Sequence, residues 1–330
     1  MQNCSSANSA TPCLAKPLQK APKISLNLKN RQSSQIPFLQ NLVIGGFSAS
    51  IAETFGAPMT RVRMILQTQQ ANPAIRQKFK GPLDCLLRIV KENGTLALWR
   101  GNGVNLCNNL PTLALSLAFK EEFRSFFVPE TTEEGNFKRV LLGNLMSGAA
   151  TTVTVLSFLY PLELAYTRMA TDTSHQKRSL RGMLGKIWKE GGVRGLYQGF
   201  LPSTVTVSLF RAGYFGLYDT FSPSFGPTFV AKYLLSQLVN VASNGLTYPM
   251  DTVRRAIMVQ EDGYKENLSK KAFSLVRKIW QEEGIPGFYR GFFTNCCRGL
   301  ASGLILVIND KLRVLANSSQ NGEMEVGELI

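Results

Sequence analysis

Three short segments place charge where apolar chain ends. They are Pro58-Met59-Thr60-Arg61-Val62-Arg63, Pro161-Leu162-Glu163-Leu164-Ala165-Tyr166-Thr167-Arg168 and Pro249-Met250-Asp251-Thr252-Val253-Arg254. Arg63, Glu163, Asp251 and Arg254 are side chains able to form ion pairs there. Further cations stand inside or beside other apolar runs, at Arg211, Arg298 and Arg255, and one acid, Glu53, does the same. A solute carrying several phosphate charges needs two or more such cations once it leaves water. Catalysis is a poor match. His175 is the single histidine, and no nucleophile–base set, Gly-rich phosphate loop or metal cluster is legible. The residues predict neither an enzyme nor a cofactor. Six cysteines (Cys4, Cys13, Cys85, Cys107, Cys296, Cys297) form no CxxC pair and read as reduced thiols in apolar packing.

The elements that must position these charges are long and nearly charge-free. Residues 101–119 and 233–250 carry no charge, and 139–160 only Arg139. Residues 39–60 carry only Glu53, 200–218 only Arg211 and 291–309 only Arg298. Each run is near the ~20 residues that cross a bilayer core. None is strongly hydropathic, and the mean hydropathy of the chain is −0.02. Helices this polar must face one another or water, so a bundle around an aqueous cavity is expected.

The charges alternate between connections. Segments 61–103, 166–200 and 252–290 together hold 23 basic and nine acidic residues, against a net charge of +15 for the chain. The opposite connections are acid-rich at 120–138 and short at 219–228. Six helices with their basic loops on one side fit this asymmetry. Nucleic acid is not an expected partner, since no basic helix or aromatic platform gathers the charge. Residues 1–36 form a basic polar tail or presequence, and 316–330 a disordered acidic tail.

The motifs repeat in order. Prolines at 58, 161 and 249 are followed by Lys91-Glu92-Asn93-Gly94, Lys189-Glu190-Gly191 and Glu282-Glu283-Gly284. Then come Trp99-Arg100-Gly101, Tyr197-Gln198-Gly199 and Tyr289-Arg290-Gly291. Each unit of roughly 100 residues thus predicts a membrane helix ending near proline, an amphipathic helix (about 82–92, 180–190 and 270–282) and a second membrane helix. The units are 37–128, 129–223 and 224–315.

This pattern resembles the mitochondrial carrier family over about 38–315, and within it the ADP/ATP-carrier branch. The longest shared runs are Arg211-Ala212-Gly213-Tyr214-Phe215-Gly216-Leu217-Tyr218-Asp219 and Tyr248-Pro249-Met250-Asp251-Thr252-Val253-Arg254-Arg255. The resemblance implies an all-α membrane fold: six transmembrane helices in three pseudo-symmetric repeats around a central cavity, with short matrix-side helices. It implies solute exchange by alternating access in the mitochondrial inner membrane, or the membrane of a related organelle. It also implies a matrix gate of Glu163 with Arg254 and Asp251 with Arg63. The third pair of that gate is missing on both sides, because Thr60 and Tyr166 stand in its places; their hydroxyls could share a neutral hydrogen bond. On the cytoplasmic side the family's pairing leaves Asp219 with Arg313 and Asp310 with Arg124, while Glu121 lacks its base because Ser222 replaces it.

At the centre, the resemblance assigns phosphate binding to Arg298 and a place beside adenine to Phe210. Arg211 and Arg255 are the other candidate cations. Glu53 and Asn108 occupy positions where the family's nucleotide carriers have a lysine and an arginine, and Thr206-Val207 replaces a small step against the base. The cavity thereby changes by three charges toward the negative. Glu53 is expected to pair with Arg298 or Arg211, to be protonatable, or to bind an amino group. The implied partners are ADP/ATP or a different, less anionic solute, and membrane lipids, with cardiolipin a candidate at the matrix-side helix ends. A transport-inactive subunit of a larger inner-membrane complex is the remaining alternative.

Overall fold

A computed structural model describes residues 38–73, 75, 77–127, 137–174, 179–222, 229–260 and 268–300. Both tails, with Asp310 and Arg313, lie outside the described residues, as does the side chain of Asp219. The described chain is helical without strands. Its first unit is α1 (Phe38–Thr68), α2 (Pro82–Asn93), a 3-10 turn (Thr95–Trp99) and α3 (Asn102–Phe127). The second is α4 (Phe137–Thr171), α5 (Leu180–Leu196) and α6 (Phe200–Phe221). The third is α7 (Phe229–Val259), α8 (Leu268–Glu283), a single turn α9 (Ile285–Phe288) and α10, helical over 292–300.

Counting two bundle helices per unit, the odd ones (α1, α4 and α7) do not end near their prolines, as the sequence suggests. They run ten residues past Pro58, Pro161 and Pro249. The reason is local. Proline lacks an N–H, so the carbonyl four residues earlier loses its helical partner. Trp99 Nε1 donates to that carbonyl at Thr54 (2.8 Å), and the Tyr197 hydroxyl donates to the one at Ser157 (2.7 Å). The aromatic-x-Gly motif therefore repairs what the proline motif breaks. Tyr289, its counterpart in the third unit, stacks on Tyr248 with centroids 6.0 Å apart, as Tyr197 stacks on Tyr160 at 5.9 Å.

The polar content of the long helices is handled in the same internal way. Ser50, Thr54, Thr68, Thr112, Thr151 and Thr154 each donate to the carbonyl four residues back, at 2.7–2.9 Å. Such hydroxyls need no water.

Each amphipathic helix seats an i, i+4 pair on the end of its odd helix: Cys85 and Ile89, Met183 and Ile187, Leu275 and Ile279, all buried. Two glycines recur in each unit. Gly94, Gly192 and Gly284 have φ of 82°, 56° and 65°, and Gly101, Gly199 and Gly291 have 87°, 81° and 79°. The second set also sits tightly. A methyl group at Gly101 would lie 3.3 Å from the Ala170 backbone, at Gly199 3.4 Å from Ile257, and at Gly291 3.2 Å from the Arg63 carbonyl. First unit therefore meets second, second meets third, and third meets first. Polar contacts follow the same order: Arg100 with Asp172 (2.9 Å), Gln198 with the Ile257 carbonyl (2.7 Å) and Arg290 with the Phe79 carbonyl (3.2 Å). The units close into a ring at the basic end of the bundle.

Candidate functional site: a cavity above an ionic floor

Just past the prolines, the odd helices bring their charges to the axis. The Arg63 guanidinium donates to Asp251 at 2.6 Å, joining α1 to α7. The same carboxylate accepts from Arg254 at 2.7 Å and from Arg255 at 3.1 Å, one turn along its own helix. Arg254 also faces Glu163 of α4 at 3.9 Å. Arg63, Asp251, Arg254 and Arg255 are all buried. One carboxylate thus serves three guanidinium groups. Two residues not singled out in the sequence complete the cluster. Gln67 donates to Asp251 at 3.1 Å, and Asn295 accepts from Arg63 at 2.8 Å. Gln67 stands one helical turn after Arg63, a spacing that places both on one face; nothing local marks Asn295.

Thr60 and Tyr166 border the same region but share no hydrogen bond among the described residues. The Thr60 hydroxyl instead donates to the Gly56 carbonyl of its own helix, at 3.0 Å. A threonine inside a helix has that acceptor within reach without ordering a second side chain.

Above this floor lies a cavity of about 260 Å³, whose polar lining includes Glu53, Asn105, Asn108, Arg211, Arg255 and Arg298. Glu53 faces Arg298 across the cavity at 3.7 Å, and Asn105 donates to Glu53 at 3.4 Å. Arg211 donates to the Thr152 hydroxyl at 2.7 Å and has no carboxylate partner among the described residues. Asn108 is buried, and its Oδ1 has no hydrogen-bond partner among the described residues. Val207 lines the cavity one turn before Arg211.

Phe210 and Thr206 are not in the lining. On α6 they form the i, i+4 neighbour of the Val207–Arg211 stripe, about 100° around the helix. Thr206 is buried against its own helix and donates to the Pro202 carbonyl at 2.6 Å. Phe210 instead contacts Tyr214, with centroids 6.3 Å apart. At the far end of the bundle Glu121 and Arg124 are exposed, and no ion pair closes that end among the described residues.

The Asp84 carboxylate accepts the Lys80 N–H at 2.9 Å and faces Arg88 at 3.0 Å, which hold it below the usual carboxylate range. Burial pushes the Cys85 thiol up to about 12. Of the cysteines expected in apolar packing, Cys85 is buried there, whereas Cys107 is exposed, and Cys296 and Cys297 are half-buried. No cluster of three or more metal-ligating side chains occurs among the described residues.

The arrangement is a solute-sized cavity with a cationic lining, closed at one end by ion pairs. Comparison with known proteins bears on what it serves. The family model described as "Mitochondrial carrier protein" matches residues 34–131, 138–227 and 225–319. The chain is 38% identical over 299 residues to ADP/ATP translocase 4 of Mus musculus, covering 87% of this chain and 93% of that protein. It is 38% identical over 291 residues to ADP/ATP translocase 3 of Homo sapiens, covering 84% of this chain and 97% of that one. ADP/ATP translocase 2 of Bos taurus is 37% identical over 292 residues. With its three repeats, ionic floor and central cavity, the chain belongs to the mitochondrial carrier family and is a transport protein, not an enzyme.

Proposed function

We propose that the chain exchanges adenine nucleotides across the mitochondrial inner membrane by alternating access. The observation that carries this reading is the cavity that holds Arg211, Arg255 and Arg298 above a floor sealed by Arg63–Asp251 and Arg254–Glu163. An alternating-access carrier needs a central site and a barrier that re-forms on either side of it. Ion pairs suit the barrier because water replaces them when it opens. The names of the relatives supply the nucleotide.

The membrane reading has its own support. Large apolar side chains such as Phe55, Phe158, Leu201, Leu246 and Phe293 are exposed, while arginine, threonine and asparagine are buried. This reverses the pattern of a water-soluble protein. Of the described helices, Leu142–Thr171 alone is long and apolar enough by composition to cross a bilayer, with a hydropathy of 1.4. Of the others, α1, α6 and α7 carry internally bonded hydroxyls and a charge that faces the cavity or its floor (Glu53, Arg211 and Asp251), as a helix lining an aqueous path does.

The test is uptake of labelled AMP, ADP and ATP into liposomes holding the purified protein, preloaded with nucleotide or empty. Exchange predicts uptake that depends on internal nucleotide. A stable, folded protein that takes up none would overturn the reading and favour a structural role.

A further inference from the structure

Glu53 places a carboxyl group of the protein's own inside the cavity. Its carboxylate faces Arg298 at 3.7 Å and is oriented by Asn105 at 3.4 Å. Arg255, the second cation of the lining, is committed to Asp251 at 3.1 Å. Arg211 is the lining cation with a neutral partner, the Thr152 hydroxyl at 2.7 Å. So three of the four lining arginines, Arg63, Arg255 and Arg298, already face a carboxylate, and Arg211 is left for a solute. Beside Glu53, α3 offers amides rather than cations. Asn105 and Asn108 fall on one face with Asn109 and Thr112, and all four line the cavity. The buried Asn108 retains an unpartnered polar end. Amides can hydrogen-bond a ribose or a base but do not neutralise phosphate.

We infer that Glu53 sets the charge class of the substrate by occupying Arg298, so that the site prefers a nucleotide with a single phosphate group, held at Arg211, over a di- or triphosphate. The inference rests on the nucleotide reading above and narrows it. The added phosphates of ATP would share a cavity of about 260 Å³ with the Glu53 carboxylate. Like charges there oppose binding, and no free central cation offsets them.

The experiment compares initial uptake of labelled AMP and ATP by liposomes containing the full-length protein, with wild type, Glu53→Gln and Glu53→Asp. The wild type is expected to favour AMP. Glu53→Gln frees Arg298 and should move the AMP-to-ATP ratio toward ATP by about tenfold or more, a change equivalent to one decade in affinity. Glu53→Asp keeps the charge and should restore the preference for AMP. Arg211→Gln should reduce AMP uptake more than ATP uptake by Glu53→Gln protein. A wild type that prefers ATP, or a ratio unchanged by Glu53→Gln, overturns the role of Glu53 while leaving nucleotide exchange standing. Absence of uptake of every nucleotide overturns the exchange reading itself.

Discussion

Trp99 donates its indole N–H to the carbonyl of Thr54, the group that Pro58 leaves without a helical partner. Tyr197 does the same for Ser157, four residues before Pro161. In the first two repeats the two motifs, some forty residues apart, are thus one device. Proline opens the helix, and the aromatic closes the broken bond from outside. Tyr197→Phe keeps the ring on Tyr160 but removes the donor. The Ser157 carbonyl would then lack a donor on a surface that the membrane reading gives to lipid, a loss of roughly 1–3 kcal/mol. Thermal unfolding in detergent measures this, and an unchanged midpoint would contradict it.

Asp251 is the group on which the floor depends. Asp251→Asn would leave Arg63, Arg254 and Arg255 sharing no carboxylate but Glu163. A loss of roughly 3–5 kcal/mol is expected, as for other buried pairs that lose one partner. Removing Glu282 is the contrast. It pairs with Lys78 at 2.5 Å, yet both are substantially exposed. Glu282→Gln should therefore cost under about 1 kcal/mol. Distance alone would rank the two pairs as equals; burial separates them.

Thr60 and Tyr166 occupy the places of a missing ion pair without bonding to each other. Thr60→Val and Tyr166→Phe should then be independent in stability, with a coupling below about 0.5 kcal/mol in a double-mutant cycle. A coupling well above that would show a shared hydrogen bond and contradict the geometry.

Glycines of equal φ differ in what surrounds them. Gly94 has φ 82° with open space where a Cβ would stand, and Gly199 has φ 81° with the Tyr160 hydroxyl 3.1 Å away. Gly94→Ala should cost roughly 1–3 kcal/mol from backbone strain alone. Gly199→Ala should cost more, because Tyr160 and Ile257 must also move. Equal losses would mean that the ring contact at Gly199 yields freely.

Cys85 gives a pH dependence with a definite sign. Its folded pKa of about 12 lies above that of an exposed thiol, so the folded state keeps a proton that the unfolded state releases. The stability it contributes is complete below pH ~8.5 and is lost as pH rises from there toward 12. Between pH 8 and pH 10 the unfolding midpoint of wild type should fall further than that of Cys85→Ala. Parallel falls would show that Cys85 is not the source.

Much of this was legible along the chain. The prolines, the aromatic-x-Gly units and the lone arginines in apolar runs are local signals, and their threefold order needs no coordinates. The repair at Thr54 was not, because it joins two helices and one carbonyl that no side chain marks. Nor was the choice between Val207–Arg211 and Thr206–Phe210, since one residue of helical phase decides which stripe faces the cavity. Both cations open to Glu53 were plausible in sequence. The structure selects Arg298, 245 residues away, and leaves Arg211 to Thr152.

The contacts at Gly101, Gly199 and Gly291 form a cycle that ends where it began. Severing the chain between two repeats breaks none of them, whereas deleting any one repeat removes two of the three. A linear array of repeats can be shortened and still fold from what remains. A closed cycle has no end to shorten. Two co-expressed fragments cut between repeats could therefore rebuild the bundle, while one or two repeats alone would have no stable intermediate size.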